Sequence, residues 1–215
     1  MVIISDFDGT ITYKDSISTI GLFNMVFPQY KEELKRIRFE LSKLNLSSEI
    51  ITLKYAKEEL KLLSKYLKNY DIDDSLYELF KIRDGFKDLI SFTKEKRYEF
   101  IISSSGIGNV ISKVLTKNEI DSEFIKIIAN YYNFNYEFNF SDIIYSRKKY
   151  NEYILKKKNE GFVLIGNHPS DRNMLPLYIN PLLSIGFNDK EIKCFDYTLS
   201  DSASFDDVIR LIKKV

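Results

Sequence analysis

The chain opens with a β-branched run, Val2-Ile3-Ile4, that gives way to Asp6 and Gly9, the pattern of a short buried strand ending in a loop. The texture then changes. Between about residues 17 and 80 apolar positions recur at helical spacing. Tyr30, Leu34, Ile37, Leu41 and Leu44 share one face, and Leu53, Ala56, Leu60, Leu63 and Leu67 share another. Ser47-Ser48-Glu49 offers an N-cap to the second face, and Ser75-Leu76-Tyr77-Glu78 has capping-box spacing that predicts a third helix. No strand pattern interrupts this stretch.

After Asp84-Gly85 helices and strands alternate. The pattern predicts a helix over 86–97 and a buried strand at Glu99-Phe100-Ile101-Ile102-Ser103. Gly106 and Gly108 then lead into a helix through Val110, Ile111, Val114 and Leu115. Two short strands are expected at 124–129 and 133–140, a solvated helix over 147–160, and strands at 162–165 and 182–187. Ser204-Phe205-Asp206-Asp207 caps a final helix running to Lys214. Such alternation implies an α/β fold with a mostly parallel sheet covered on both faces.

Composition narrows the classes. The 215 residues suit a large domain carrying a smaller insertion, and 44% hydrophobic with 29% charged residues suits a globular core. A net charge of +1 advertises neither nucleic acid nor an anionic membrane. The single Cys194 excludes an internal disulfide and a cysteine-based zinc site, and the lone His168 excludes a multi-histidine metal site. No stretch approaches the roughly 18 apolar residues of a membrane span. The start, MVIIS, has no basic region, and its apolar run stops at Asp6, so no signal peptide is expected and a cytosolic place is.

Ligands of such sheets bind beyond the carboxyl ends of the strands. Four polar clusters fall there: Asp6/Asp8, Ser103-Ser104-Ser105-Gly106, Lys148/Lys149, and Asn167 with Asp171. Two carboxylates two residues apart repel, and both are costly to bury unless a cation lies between them. Paired acids with a third suit a hard cation such as Mg²⁺. A serine with free N–H groups at a helix start grips phosphate oxygens, and a lysine neutralises a transferring phosphoryl group. One aspartate then serves as nucleophile and the other as general acid and base.

Asp6-Phe7-Asp8-Gly9-Thr10, right after the first strand, resembles the signature of the haloacid dehalogenase superfamily of phosphatases. Later motifs of that superfamily follow in order: Ser104-Ser105-Gly106 (with Ser103 as the other register), Lys149 (or Lys148), and Gly166-Asn167-His168-Pro169-Ser170-Asp171. The resemblance implies a Rossmann-like parallel sheet at 1–14 and 83–215, with a small all-helical cap inserted at 15–82. It implies a Mg²⁺-dependent phosphatase acting on a small phosphomonoester, as a monomer or homodimer. Asp6 is the implied nucleophile, Asp8 the acid and base. Ser104, Ser105, Gly106 and Lys149 are the implied phosphate grip. Asp6, Asp8, Asn167 and Asp171 are the implied metal environment. Asn167 departs from the superfamily, which usually has a carboxylate there, so metal binding is expected to be weaker.

The cap position resembles the phosphoserine phosphatase-like type, and Ser105-Gly106-Ile107-Gly108-Asn109-Val110 is similar to a stretch of the pyrimidine 5′-nucleotidases. Asp15 stands where phosphoserine phosphatases read a substrate amine. Residues 39–82 contain no arginine for a substrate carboxylate, leaving Arg36, Arg38 or a lysine. Plainer readings stand beside these. The serines and Asp171 serve equally as helix caps, Lys148/Lys149 as surface charge, and Asp15 as the cap of the first inserted helix. A phosphotransferase, or a non-catalytic phospholigand-binding relative with a decayed metal site, uses the same residues.

Overall fold

The sheet is built from β1 (Val2–Ser5), β2 (Glu99–Ile107), β3 (Ile125–Asn130), β4 (Phe162–Gly166), β5 (Leu183–Phe187) and β6 (Tyr197–Leu199). In the computed structural model, which describes residues 1–68, 72–146 and 149–215, these strands run in the order β3-β2-β1-β4-β5-β6 and every pairing is parallel. Successive residues of β1 feed opposite faces. Ile3 joins a cluster containing Phe100, Ile102, Val163 and Phe205, whereas Val2 and Ile4 join Ile101, Leu164 and Met174. Both faces are covered, so the strands read as unbroken apolar runs.

Three helices, α1 (Thr19–Val26), α2 (Pro28–Ser42) and α3 (Ser48–Leu67), come between β1 and α4 (Phe86–Lys96). Their starts are legible chemistry. The Ser18 side chain accepts from Gly21 N–H and that of Ser47 from Ile50 N–H, while Pro28 opens α2, where its missing N–H leaves no bond unmade. Tyr30 and Leu34 of α2 and Leu60, Leu63 and Leu67 of α3 are buried in the main core. The core is completed by α5 (Gly108–Lys117), the short α6 (Glu152–Lys156) and α7 (Phe205–Ile212), the last opened by a Ser204–Asp207 capping box.

Several expectations are corrected. Residues 133–140 form no strand. The Asn133 side chain accepts from the N–H groups of Asn135 and Glu137, closing a turn that leaves only an isolated Tyr132–Phe138 bridge. The third helix expected from Ser75 is present as a short 3₁₀ helix, Asp74–Leu79, capped by the Asp73 side chain rather than by Ser75. Of the helix expected over 147–160 the described residues show Glu152–Lys156, started by the Asn151 side chain. The last helix ends at Ile212 rather than Lys214, and β6 was not foreseen because three half-exposed residues carry no period. Among the described residues no helix is long and apolar enough to cross a membrane.

Candidate active site

The first acids sit where β1 runs out. Asp6 N–H still bonds Ile165 O of β4 (3.0 Å), and the chain then coils through one wide turn, Phe7–Ile11. Gly9 takes φ +76°, and a Cβ there would stand 2.4 Å from the Asn167 side-chain nitrogen, so both backbone and space demand glycine. This turn sends Asp6 and Asp8 to different partners. Asp8 Oδ1 accepts from Thr19 N–H (2.9 Å) and Oδ2 from Thr19 Oγ1 (2.8 Å), which ties it to the first residue of α1. Asp6 Oδ1 accepts from Lys149 Nζ at 3.0 Å, and Asp171 Oδ1 accepts from the same ammonium at 2.8 Å.

All three members of that second group are buried. The Ser103 hydroxyl donates to Lys149 O, and Lys149 N–H bonds Asn173 O (3.0 Å), so the lysine is held by its own main chain. Asp171 Oδ2 accepts from the N–H groups of Asn167 (2.8 Å) and His168 (2.9 Å), closing the turn Pro169–Met174. The plain reading of Asp171 as a cap is therefore true, and its other oxygen still reaches the lysine. Lys148 lies outside the described residues.

Charge is unbalanced here. Burial pushes Asp6 up to about 7 against the pull of Lys149, with Asp171 and Asp8 adding to the push. Burial also raises Asp8, opposed by its two bonds from Thr19. Burial works against the Lys149 ammonium, but Asp6 and Asp171 outweigh it and hold the lysine above its ordinary value.

The residues present fit a divalent cation. Two carboxyl groups share one lysine with a third acid, Asp8, close enough to push Asp6 up, Asp6 Oδ2 accepts no hydrogen bond among the described residues, and Asn167 Oδ1 accepts one from Thr10 Oγ1 at 3.2 Å. Among the described residues no three acidic, histidine or cysteine side chains converge as a cage. Few protein oxygens with water filling the remainder is the habit of Mg²⁺.

The serines occupy a bulge. Ser103 pairs with Ile128 and Ile107 with Asn130, so β2 spends more residues than β3 between these pairs. Within the bulge Ser104 Oγ accepts from Gly106 N–H (3.1 Å), and Asn130 Nδ2 holds the turn through Ser105 O (2.9 Å) and Ile144 O (2.8 Å). A Cβ on Gly106 would lie 2.1 Å from Thr19 Oγ1, so the glycine lets α1 approach Asp8.

Asp15 is not brought to this site. Its side chain is exposed and paired with Lys81 Nζ (2.7 Å), and α1 is capped by Ser18 instead. Sequence reasoning missed Thr19, Asn130 and Arg83. Arg83, fully buried, donates to Thr10 O (2.8 Å), Gly9 O (3.3 Å) and Asp201 O (2.6 Å), and its guanidinium packs 4.0 Å from the Phe187 ring centre. The signal for Thr19 was available in the Ser18-Thr19 helix start. Arg83 and Asn130 act on carbonyls far away in sequence and have no local signature.

On the other side of Ser105 a cavity of about 570 Å³ lies under the three inserted helices. Residues at helical spacing line it from each: Ile20 and Asn24; Leu34, Arg38 and Leu41; Tyr55 and Glu59. The acids themselves do not line it. It meets them through the serine bulge.

A parallel sheet with an acid pair, a serine bulge and a buried lysine at its carboxyl edge is the haloacid dehalogenase-like arrangement. The profile of the pyrimidine 5′-nucleotidase (UMPH-1) family matches residues 49–215, and the chain belongs to that family. A 2-hydroxy-3-keto-5-methylthiopentenyl-1-phosphate phosphatase of Geobacillus thermodenitrificans is 31% identical over 116 residues, covering 54% of this chain and 48% of that protein. The chain thus spans about half the length of the curated relatives it matches. Two solved structures share the fold. Cytosolic 5′-nucleotidase IIIB bound to cytidine superposes with TM-score 0.76 at 18% identity, over 99% of this chain and 85% of that one. Apo phosphoserine phosphatase superposes with TM-score 0.61 at 18% identity, over 97% of each.

Proposed function

We propose that the protein is a phosphatase that hydrolyses a small phosphomonoester through an aspartyl-phosphate on Asp6. The observation that carries this reading is the division of labour between the two acids. Among the described residues Asp6 leaves one carboxylate oxygen without a hydrogen bond beside the Lys149 ammonium, and Asp8 is held apart by Thr19 with its proton affinity raised.

The free oxygen of Asp6 attacks phosphorus, forming an acyl-phosphate bond as the bond to the leaving oxygen breaks. Asp8 gives its proton to that oxygen. It then takes a proton from a water that attacks phosphorus, returning Asp6 and releasing inorganic phosphate. Lys149 and the Ser104 turn hold the phosphoryl oxygens and offset their charge. Asp6, the main-chain carbonyl of Asp8, Asn167 and Asp171 are the residues that would hold Mg²⁺. When bound there, the ion would further neutralise phosphate charge. Residues 15–82 act as a cap over the core formed by 1–14 and 83–215, excluding water and selecting the leaving group. Family membership favours a nucleoside monophosphate, while the curated relatives favour a small sugar-derived phosphate.

One observation favours a second reading, a non-catalytic phospholigand-binding protein: Asn167 is neutral, and its carbonyl already accepts from Thr10. Phosphate release from an aryl phosphate, with and without Mg²⁺, separates the two. The phosphatase reading expects metal-dependent release that Asp6→Asn reduces at least about a thousandfold. Release that survives Asp6→Asn overturns the covalent mechanism. No release at saturating Mg²⁺ from aryl, nucleoside and sugar phosphates supports the second reading.

A further inference from the structure

Arg83 holds three successive carbonyls of the turn that follows Asp8. Its main-chain N–H donates to Ile11 O (2.8 Å), its Nε to Thr10 O (2.8 Å) and its Nη2 to Gly9 O (3.3 Å). Nη1 reaches the other way, to Asp201 O (2.6 Å) and Ala203 O (3.0 Å) in the loop before α7. The guanidinium is fully buried and packs on the rings of Phe187 and Tyr13, 4.0 and 4.8 Å from their centres. Among the described residues no carboxylate forms an ion pair with it, and that of Asp201 is paired with Lys14 instead. A buried cation without such a partner is costly. What it brings here is a planar fork of donors, which a lysine or a neutral side chain does not offer.

The residue also stands at a junction. Thr12 bridges Ile82 and Tyr13 N–H bonds Lys81 O, so the two connections of the inserted helices run side by side where Arg83 rejoins the core. Asp8 is thereby held from both ends of the insertion: its carboxyl by Thr19 at the start, its main chain through Arg83 at the close. The turn needs holding, because Gly9 at φ +76° has the conformational freedom of a residue without a Cβ. Thr10, whose carbonyl takes Nε, reaches Asn167 Oδ1 through its hydroxyl. A plain staple between the turn and the 201–203 loop would use some of these bonds. It would not require a grip on each of the three carbonyls beyond Asp8.

We infer that Arg83 is a positioning residue, which fixes the turn after Asp8 so that the Asp8 carboxyl meets the leaving oxygen. This rests on the phosphatase reading. In its first step Asp6 bonds phosphorus as the bond from phosphorus to the leaving oxygen breaks. The leaving oxygen keeps the electron pair of that bond and takes the Asp8 proton. A displacement of the acid by about 1 Å is enough to cost on the order of a hundredfold.

Phenyl phosphate and p-nitrophenyl phosphate, given to the full chain with Mg²⁺, separate positioning from stapling. They are alike in shape, but nitrophenolate leaves without a proton whereas phenolate needs one. Comparing kcat/KM confines the reading to steps up to transfer onto Asp6. Arg83→Lys keeps the charge and loses the fork. At a temperature where circular dichroism shows the variant folded, kcat/KM for phenyl phosphate should fall about a hundredfold. That for p-nitrophenyl phosphate should fall less than about fivefold. Lys81→Ala removes an exposed ion pair with Asp15 at the same junction and should leave both within about twofold. Should Arg83→Lys not fold, Arg83→Gln carries the same comparison.

An equal fall on both probes, wild-type values on both, or the selective loss appearing in Lys81→Ala overturns the inference. Hydrogen exchange gives a readout without turnover. The amides of residues 7–12 should exchange about tenfold faster in the Arg83 variant, while those of β1 and β4 keep their wild-type rates. If the wild type releases phosphate from neither probe, the phosphatase reading fails. Faster exchange confined to 7–12 then upholds the grip of Arg83 on the turn, and unchanged exchange overturns that as well.

Discussion

The buried lysine cluster and the cavity beneath the inserted helices meet at Ser105 but are built on opposite principles. In the cluster Lys149 bridges Asp6 and Asp171, Asp171 spends its second oxygen on two N–H groups, and Asp8 is bonded twice by Thr19. At the cavity, the Glu59 carboxyl and Asn24 Oδ1 accept no hydrogen bond among the described residues. Asp6 follows β1, which is hydrogen-bonded on both sides, and Lys149 and Asp171 are held by main-chain bonds, which fixes the cluster's geometry before any ligand arrives. The cavity stands on α1, α2 and α3, where Leu34 and Leu60 line it and also belong to the main core.

The largest disturbance of this contrast is expected from Lys149→Met. It strands two buried acids, so stability should fall by about 3–5 kcal/mol and phosphate release by on the order of a thousandfold or more. Chemical denaturation and steady-state kinetics measure the two effects separately. A stable, active variant would show that the cluster is not held by its lysine. Thr19→Val comes next, since it keeps the N–H to Asp8 but deletes the hydroxyl. The expected result is a fall of roughly tenfold to a hundredfold in kcat, with KM nearly unchanged, and recovery in Thr19→Ser. An unchanged kcat would free Asp8 from its tie to α1.

Asn167→Asp sharpens the comparison from the metal side. A carboxylate in place of the amide should tighten Mg²⁺ binding about tenfold, read by calorimetry or by the Mg²⁺ dependence of thermal unfolding. Without the ion the added charge should destabilise the fold, because it joins acids already pushed upward. Equal Mg²⁺ affinity in both proteins would remove position 167 from the metal environment.

The smallest effect concerns Glu59 and pH. Its carboxyl lies at about 7 in the folded chain, above an ordinary value of 4.5. The folded state therefore holds a proton that the unfolded chain has released between those values. Stability contributed by Glu59 is present below the unfolded value and declines as pH rises through the folded one. Glu59→Gln abolishes this decline, so the variant should gain on the wild type between these limits, by on the order of 1 kcal/mol or a few degrees in thermal midpoint. Parallel pH profiles would mean that the cavity does not burden Glu59.

Much of the fold was legible in one dimension. The runs Val2-Ile3-Ile4 and Phe162-Val163-Leu164-Ile165 became adjacent strands, and the two helical stripes became α2 and α3, because periodicity and caps are local properties. The Ser47 and Ser204 caps formed as their spacing implied. Where local signals competed, tertiary context decided. Residues 133–140 alternate like a strand, yet the Asn133 side chain closes a turn on its own backbone.

The candidate site divides in the same way. The order of acids, serines and lysine was determined by the sequence alone, and so was the chemistry those residue types can perform. Only the tertiary structure decided that Ser103 is spent on the Lys149 carbonyl, and that Asp15 pairs with Lys81 at the surface. It likewise decided that Arg83 clasps the turn after Asp6 and that Glu59 has no donor among the described residues. The physical reason is the range of the interactions. Strands, caps and turns are set by neighbours a few residues away, whereas a side chain's partner or lack of one depends on groups that folding brings from distant parts of the chain.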